Sequence, residues 1–176
     1  CSSKTSMIEI QKHVYVEKEF KDSWLETNEF GDSYIKEELQ GGYHYHFDQQ
    51  FLEIFFNTGG KIELYNYSIK KNDLIISGEM IPPKTIRLVH PHLDNVTSEG
   101  VIIHELGHYF DEKHQFSSSK QFTKLYKKYR TLFNQKTKKE YFAECFKEYV
   151  GGHQEKVKPF HSYMKTITQK IRQKNK

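Results

Sequence analysis

Apolar and polar residues change their rhythm along this chain, and the change divides it. Ile8, Ile10, Val14 and Val16 alternate with polar neighbours, which predicts strand near the N-terminus. From Lys18 to Gln40 the apolar positions Phe20, Trp24, Leu25, Phe30, Tyr34, Ile35 and Leu39 fit helix in pieces, broken near Gly31. Gly41-Gly42 opens a strand-rich section in which Tyr43, Tyr45 and Phe47 alternate with His44 and His46. The run Phe51–Phe56 reads equally as buried strand or short helix. Thr58-Gly59-Gly60 is a turn, Lys61–Tyr67 a strand, and Asn72-Asp73 a second turn before Leu74-Ile75-Ile76. Pro82-Pro83 interrupts the pattern. Thr85–Val89 is the last strand, and its placement suggests an edge along which an extended peptide could pair.

Beyond residue 98 the period becomes helical. Val101, Ile102, Leu106 and Phe110 form an apolar face, with Thr97 or Ser98 as cap and Glu99 at the positive end. Ser118 and Gln121 fit a capping box that opens a helix carrying Phe122, Leu125, Tyr126, Tyr129 and Phe133. Thr137 and Glu140 fit another, and Gly151-Gly152 ends the helix they open. Phe160, Tyr163, Met164, Ile167 and Ile171 support a final helix.

The first of these helices carries chemistry. His104 and His108 stand one helical turn apart and project from one face, where two imidazoles can chelate one tetrahedral zinc ion. Glu105 then points to the flank, placed to take a proton from a water held by the metal. A catalytic zinc needs a third protein ligand, and Glu140 and Glu144, one turn apart on a later helix, are the candidates. One could bind metal while the other braces a ligand imidazole. Glu140, Glu144 and Glu148 could instead form a solvated row against Lys139 and Lys147. Tyr141, Phe142, Cys145 and Phe146 argue against that, because an acid in so apolar a neighbourhood requires a cation. The pairs His44/His46 and His90/His92 lack a third ligand nearby and are read as packing or surface residues.

The 176 residues suit one domain, with residues 1–6 a polar leader and 7–176 the folded unit, divided into lobes at 7–97 and 98–176. Mean hydropathy is low, at −0.81, but 12 Tyr and 13 Phe supply large buried areas. Residues 1–112 carry 19 acidic and 10 basic side chains, and 113–176 carry 4 and 17. That basic half is read as a solvated face complementing the acidic one. No nucleic-acid motif accompanies it, so no nucleic-acid partner is expected. No apolar run reaches the length of a membrane span. Cys145 reads as a buried free thiol. The opening Cys1-Ser2-Ser3-Lys4 resembles a bacterial lipoprotein after signal removal, in which Cys1 carries a membrane tether. The alternative is that the sequence merely starts there. On the tether reading the protein is extracellular, secreted or lipid-anchored at the bacterial cell surface, and monomeric.

The block Ser98-Glu99-Gly100, His104-Glu105-Leu106-Gly107-His108, Asp111 and Glu140-Tyr141-Phe142-Ala143-Glu144-Cys145-Phe146 resembles the catalytic domain of anthrax lethal factor and the Pro-Pro endopeptidases that share it. The resemblance spans residues 80–170. It implies an α+β fold: a small twisted sheet with helices, then a helical lobe, with a zinc site in the cleft between them. It implies Zn2+ held by His104, His108 and Glu140, Glu105 as general base, Glu144 behind the ligands, and a peptide or protein substrate. In that family a tyrosine stands seven residues before the ligand glutamate, where its hydroxyl stabilises an oxyanion; here that position is Phe133. Tyr129, Tyr126 or a histidine would have to serve, or catalysis is weakened. A non-catalytic zinc-binding module is the rival expectation.

Overall fold

The computed structural model describes residues 6–93 and 99–173. Cys1, and the caps Thr97 and Ser98, lie outside the described residues. The fold is α+β, built on a five-stranded mixed sheet. In chain order it comprises β1 (Met7–Gln11), β2 (Val14–Glu17), α1 (Lys21–Leu25), α2 (Tyr34–Leu39), α3 (Gln50–Asn57), β3 (Lys61–Tyr65), β4 (Ile69–Lys71), β5 (Leu74–Ile76), β6 (Gly78–Ile81) and β7 (Thr85–Val89). Four longer helices follow: α4 (Val101–His114), α5 (Lys120–Lys128), α6 (Lys138–Val150) and α7 (His161–Gln173). No described helix is long and apolar enough to cross a membrane.

The sheet runs β1-β2-β3-β7-β6, while β4 and β5 pair in a separate hairpin. β2, β3 and β7 are parallel to one another, and β1 and β6 are antiparallel additions at either side. The parallel step from β2 to β3 demands a long crossover, and α1, α2 and α3 make it. Gly31, at φ +90°, lies in the break between α1 and α2, as the sequence suggests.

Strand alternation fixes what faces inward. Val14 pairs with Ile62 and Ile62 with Ile86; Val16 pairs with Leu64 and Leu64 with Leu88. All six side chains are fully buried, so two apolar rows cross the three central strands. Helices supply the rest of the core, mainly with rings. Phe51 of α3 meets Phe110 of α4 and Phe146 of α6 edge-on or nearly so, at 6.1 and 5.7 Å. Phe122 of α5 packs on Tyr141 and Phe142 of α6, at 6.3 and 5.4 Å.

Several sequence expectations need correction. Thr85–Val89 is not an edge strand: it is flanked by β3 and β6 on its two sides, and β6 forms the edge. Tyr43–Phe47 is loop rather than strand, because Tyr45 is drawn onto the end of α6, where its hydroxyl donates to Glu148 Oε1 at 2.9 Å. Phe51–Phe56 resolves to helix. Strand β3 stops at Tyr65. The cap of α5 is Ser119, whose Oγ accepts from the Phe122 amide at 3.2 Å; Ser118 and Gln121 form no box, and the helix ends before Phe133. α4 starts after Gly100, at φ +77°. By contrast Thr137 caps α6 as expected, accepting from the Glu140 amide at 3.1 Å. On α5 and its flanks Lys120, Lys124, Lys127, Lys128 and Arg130 are exposed.

α4 is the pivot: one side lies on β6 and β7, the other on α6. The approach to α6 depends on Gly107. A Cβ there would stand 3.2 Å from the Ala143 Cα and 3.2 Å from the Phe146 Cβ, tighter than ordinary contact and partly against backbone. Gly107→Val is therefore expected to destabilise by about 1–3 kcal/mol through overpacking, lowering Tm by roughly 2–12 °C in a thermal melt.

Candidate metal centre

The contact between α4 and α6 brings together residues far apart in the chain. His104 Nε2 lies 3.0 Å from Glu140 Oε2, and His108 Nε2 lies 2.9 Å from Glu140 Oε1. The two rings meet edge-on at 4.8 Å between centroids, so they present nitrogens to a common point rather than stacking. One ligand atom from each of His104, His108 and Glu140 lies within 4.8 Å of the others, and this set could hold a metal ion. Two imidazole nitrogens and one carboxylate match the donor set of a zinc site with an open position. No other such group exists among the described residues.

Electrostatics favours a cation here. Hydrogen bonds from His104 and His108 hold the Glu140 carboxyl far below the usual carboxylate range. Burial alone would depress His104, but Glu140, Glu105 and Glu144 outweigh it and raise its proton affinity. The site thus draws a proton toward His104 beside a charged carboxylate, positive charge that zinc would supply in its place.

Glu105 is 7% exposed and lines the same cleft, and burial raises its carboxyl above the ordinary value. It accepts no hydrogen bond from another described residue, so its oxygens are available to a molecule in the cleft. Glu144 stands behind the ligands. Its Oε1 is 3.8 Å from His104 Nδ1, too long for a hydrogen bond, and accepts from Gln135 Nε2 at 3.2 Å. Its Oε2 pairs with Lys147 Nζ at 2.7 Å. Glu148, which the alternative sequence reading placed in a solvated row, is buried and bound by Tyr45 and by His153 Nδ1 at 2.9 Å. His153 lies just past the end of α6, whereas Tyr45 comes from a loop distant in the chain, and nothing local to α6 signals that contact.

The cleft has a volume of about 630 Å3. Its far wall is the edge strand β6, through Gly78, Glu79 and Met80, and Lys71, Lys139 and Lys147 also line it. Of these only Lys139 and Lys147 figure in the sequence analysis, as partners of a solvated glutamate row; recognising β6 as the edge would have found the wall. No tyrosine lines the cleft. Phe133 packs on Tyr141 at 5.3 Å, Tyr126 packs on Tyr141 at 5.0 Å, and the Tyr129 carbonyl accepts from the Tyr141 hydroxyl. The tyrosine substitutes expected from sequence are thus committed to the helical core. His44 lies in a loop with Nδ1 2.6 Å from Glu99 Oε2, and His90 Nε2 lies 3.0 Å from the Ser23 carbonyl. Asp111 closes the turn after α4, accepting from the Ser117 amide at 2.7 Å.

Zinc added to chelator-treated protein at a hundredfold excess over its Kd should stabilise by about 2.7 kcal/mol, a Tm rise of roughly 5–11 °C. Glu140→Ala and His104→Ala are each expected to abolish that rise.

No protein-family model matches the chain, and no curated protein matches it in sequence. Among solved structures it is similar to the Pro-Pro endopeptidase PPEP-2 from Paenibacillus alvei, with 15% identity and a TM-score of 0.58. The alignment covers 93% of this chain and 98% of that one. At that identity the similarity is one of fold, and at 93% coverage it extends across both the sheet and the helical half, beyond the span of residues 80–170.

Proposed function

We propose that this chain is a zinc-dependent endopeptidase acting on extended peptide segments. The observation that carries the reading is the convergence of His104, His108 and Glu140 beside a buried, unbonded Glu105 in an open cleft. The fold shared with a Pro-Pro endopeptidase supports it, and extends it to a preference for proline near the cleaved bond.

His104, His108 and Glu140 would hold the metal, and Glu144 stands behind His104, beyond hydrogen-bond distance, with Lys147 balancing its charge. Bound there, zinc supplies Lewis acidity, making water a better proton donor and a peptide carbonyl a better electrophile. Glu105 accepts the proton from the attacking water as its oxygen bonds to the carbonyl carbon. It returns that proton to the leaving nitrogen as the C–N bond breaks. Its raised proton affinity suits both steps, since a strongly acidic carboxyl would accept poorly. The substrate lies against β6, whose outer edge offers backbone groups for strand addition; the interior position of β7 leaves none.

One observation favours a second reading, a peptide-binding module without turnover: the cleft has no tyrosine to stabilise an oxyanion. Its charged donors are instead Lys71, Lys139 and Lys147.

Glu105→Gln is expected to retain zinc while lowering peptide cleavage by about 10²–10⁴-fold. A peptide-library digest read by mass spectrometry, with metal content measured in parallel, tests this. Full activity in the variant would end the mechanism, and a zinc-loaded natural protein that binds library peptides but cuts none would establish the second reading.

A further inference from the structure

A second large cavity, of about 510 Å3, opens beside the start of α4 and is bounded by α2 and the loops around it. Glu29, Glu37, Glu38 and Glu99 line it, and among the described residues no lysine or arginine does. Two of the four acids are occupied. Glu99 receives the Tyr43 amide at 3.1 Å and His44 Nδ1 at 2.6 Å, and Glu37 receives Asn28 Nδ2 at 3.3 Å.

Glu38 differs from them. It is only 8% exposed, yet its carboxylate has no hydrogen-bond or ion-pair partner among the described residues. It also sits in the last turn of α2, the end at which a negative charge is unfavourable. Burial, and then the charge of Glu37, push its carboxyl up to about 8.

The remaining walls are aromatic. Phe30 is 63% exposed and leans on Tyr43, with centroids 4.0 Å apart, and Tyr34 meets His92 edge-on at 4.6 Å. Aromatic faces beside a desolvated carboxylate suit an organic cation, and the volume suits one side chain or a small molecule. Glu99, two residues before the first residue of α4, lines both this cavity and the cleft that holds His104.

We propose that this cavity is a subsite for a lysine or arginine side chain of the peptide bound in the cleft. Glu38 becomes its counter-charge by releasing its proton to water as the cation arrives, and Phe30 and Tyr43 are its aromatic wall. The peptide part rests on the endopeptidase reading; recognition of the cation does not.

The test is binding, followed by NMR titration of the zinc-loaded protein. The probes are a capped Ala-Arg-Ala tripeptide, its citrulline counterpart of equal shape without charge, and agmatine as a free guanidinium. To keep the ligand intact, the tripeptide titrations are repeated in Glu105→Gln. The arginine tripeptide is expected to bind about tenfold more tightly than the citrulline one. Glu38→Gln should erase the difference, and Phe30→Ala, at an exposed position, should weaken both tripeptides. Equal affinities, or a difference that survives Glu38→Gln, would overturn the proposal. Agmatine binding as tightly as the tripeptide would overturn its peptide-borne part. A protein that cuts no peptide but keeps the difference would sink the endopeptidase reading alone; cleavage without the difference would sink this one alone.

Folding of Glu38→Gln is checked independently. The folded chain keeps the Glu38 proton until about pH 8, whereas the unfolded chain releases it near 4.5, so this acid removes stability as pH rises between those values. Glu37 beside it, and His90, His92 and Glu99 on neighbouring segments, are unchanged in the variant. Glu38→Gln should therefore melt above the natural protein by a margin that grows from pH 5 to pH 8.

Discussion

The close approach of α4 and α6 is the constraint on which the rest depends. Gly107 and Ala143 meet where the two helices cross, and the missing side chain at Gly107 lets the backbones come near. The consequence is electrostatic as well as steric. Glu140 reaches both imidazoles only because its helix is that close, and the same contact buries Phe110, Phe142 and Phe146. Apolar burial drives the packing, and the cost of confining charged groups is offset by bringing them to each other.

Three glutamates at one-turn spacing on α6 show how position along a helix becomes function. Glu140 faces α4 and meets two rings. Glu144, one turn on, meets Lys147 and Gln135 and lies farther from His104. Glu148, another turn on, is enclosed by Tyr45 and His153. The side chains are chemically identical. What separates them is the element each faces, since a carboxylate takes its properties from its partners and from its distance to water.

The acidic N-terminal half has a comparable economy of placement. Most of its carboxylates are solvated or paired, as with Glu63 and Glu79 around Arg87. Among the described residues Glu105 and Glu38 are buried side chains with neither a hydrogen bond nor an ion pair of their own, and both line cavities, one the cleft and one the chamber beside it. No fully enclosed polar side-chain atom among the described residues lacks a partner, so the oxygens of these two acids keep access to the space in front of them, where another molecule can arrive.

Local sequence determined what depends on short spacing. A four-residue repeat of histidines puts two rings on one helical face, the threonine before α6 caps it, and alternating Val, Ile and Leu set the inward rows of the central strands. These follow from helical and strand periods that do not depend on context. Tertiary structure decided which strand is an edge, which tyrosines enter the core, and which glutamates meet imidazole, lysine or nothing. Strand order and helix approach are set by contacts between residues tens of positions apart, and no local period encodes them. Thr85–Val89 thus reads the same whether it ends a sheet or lies within one, and Glu38 reads as one more surface acid until the fold closes over it.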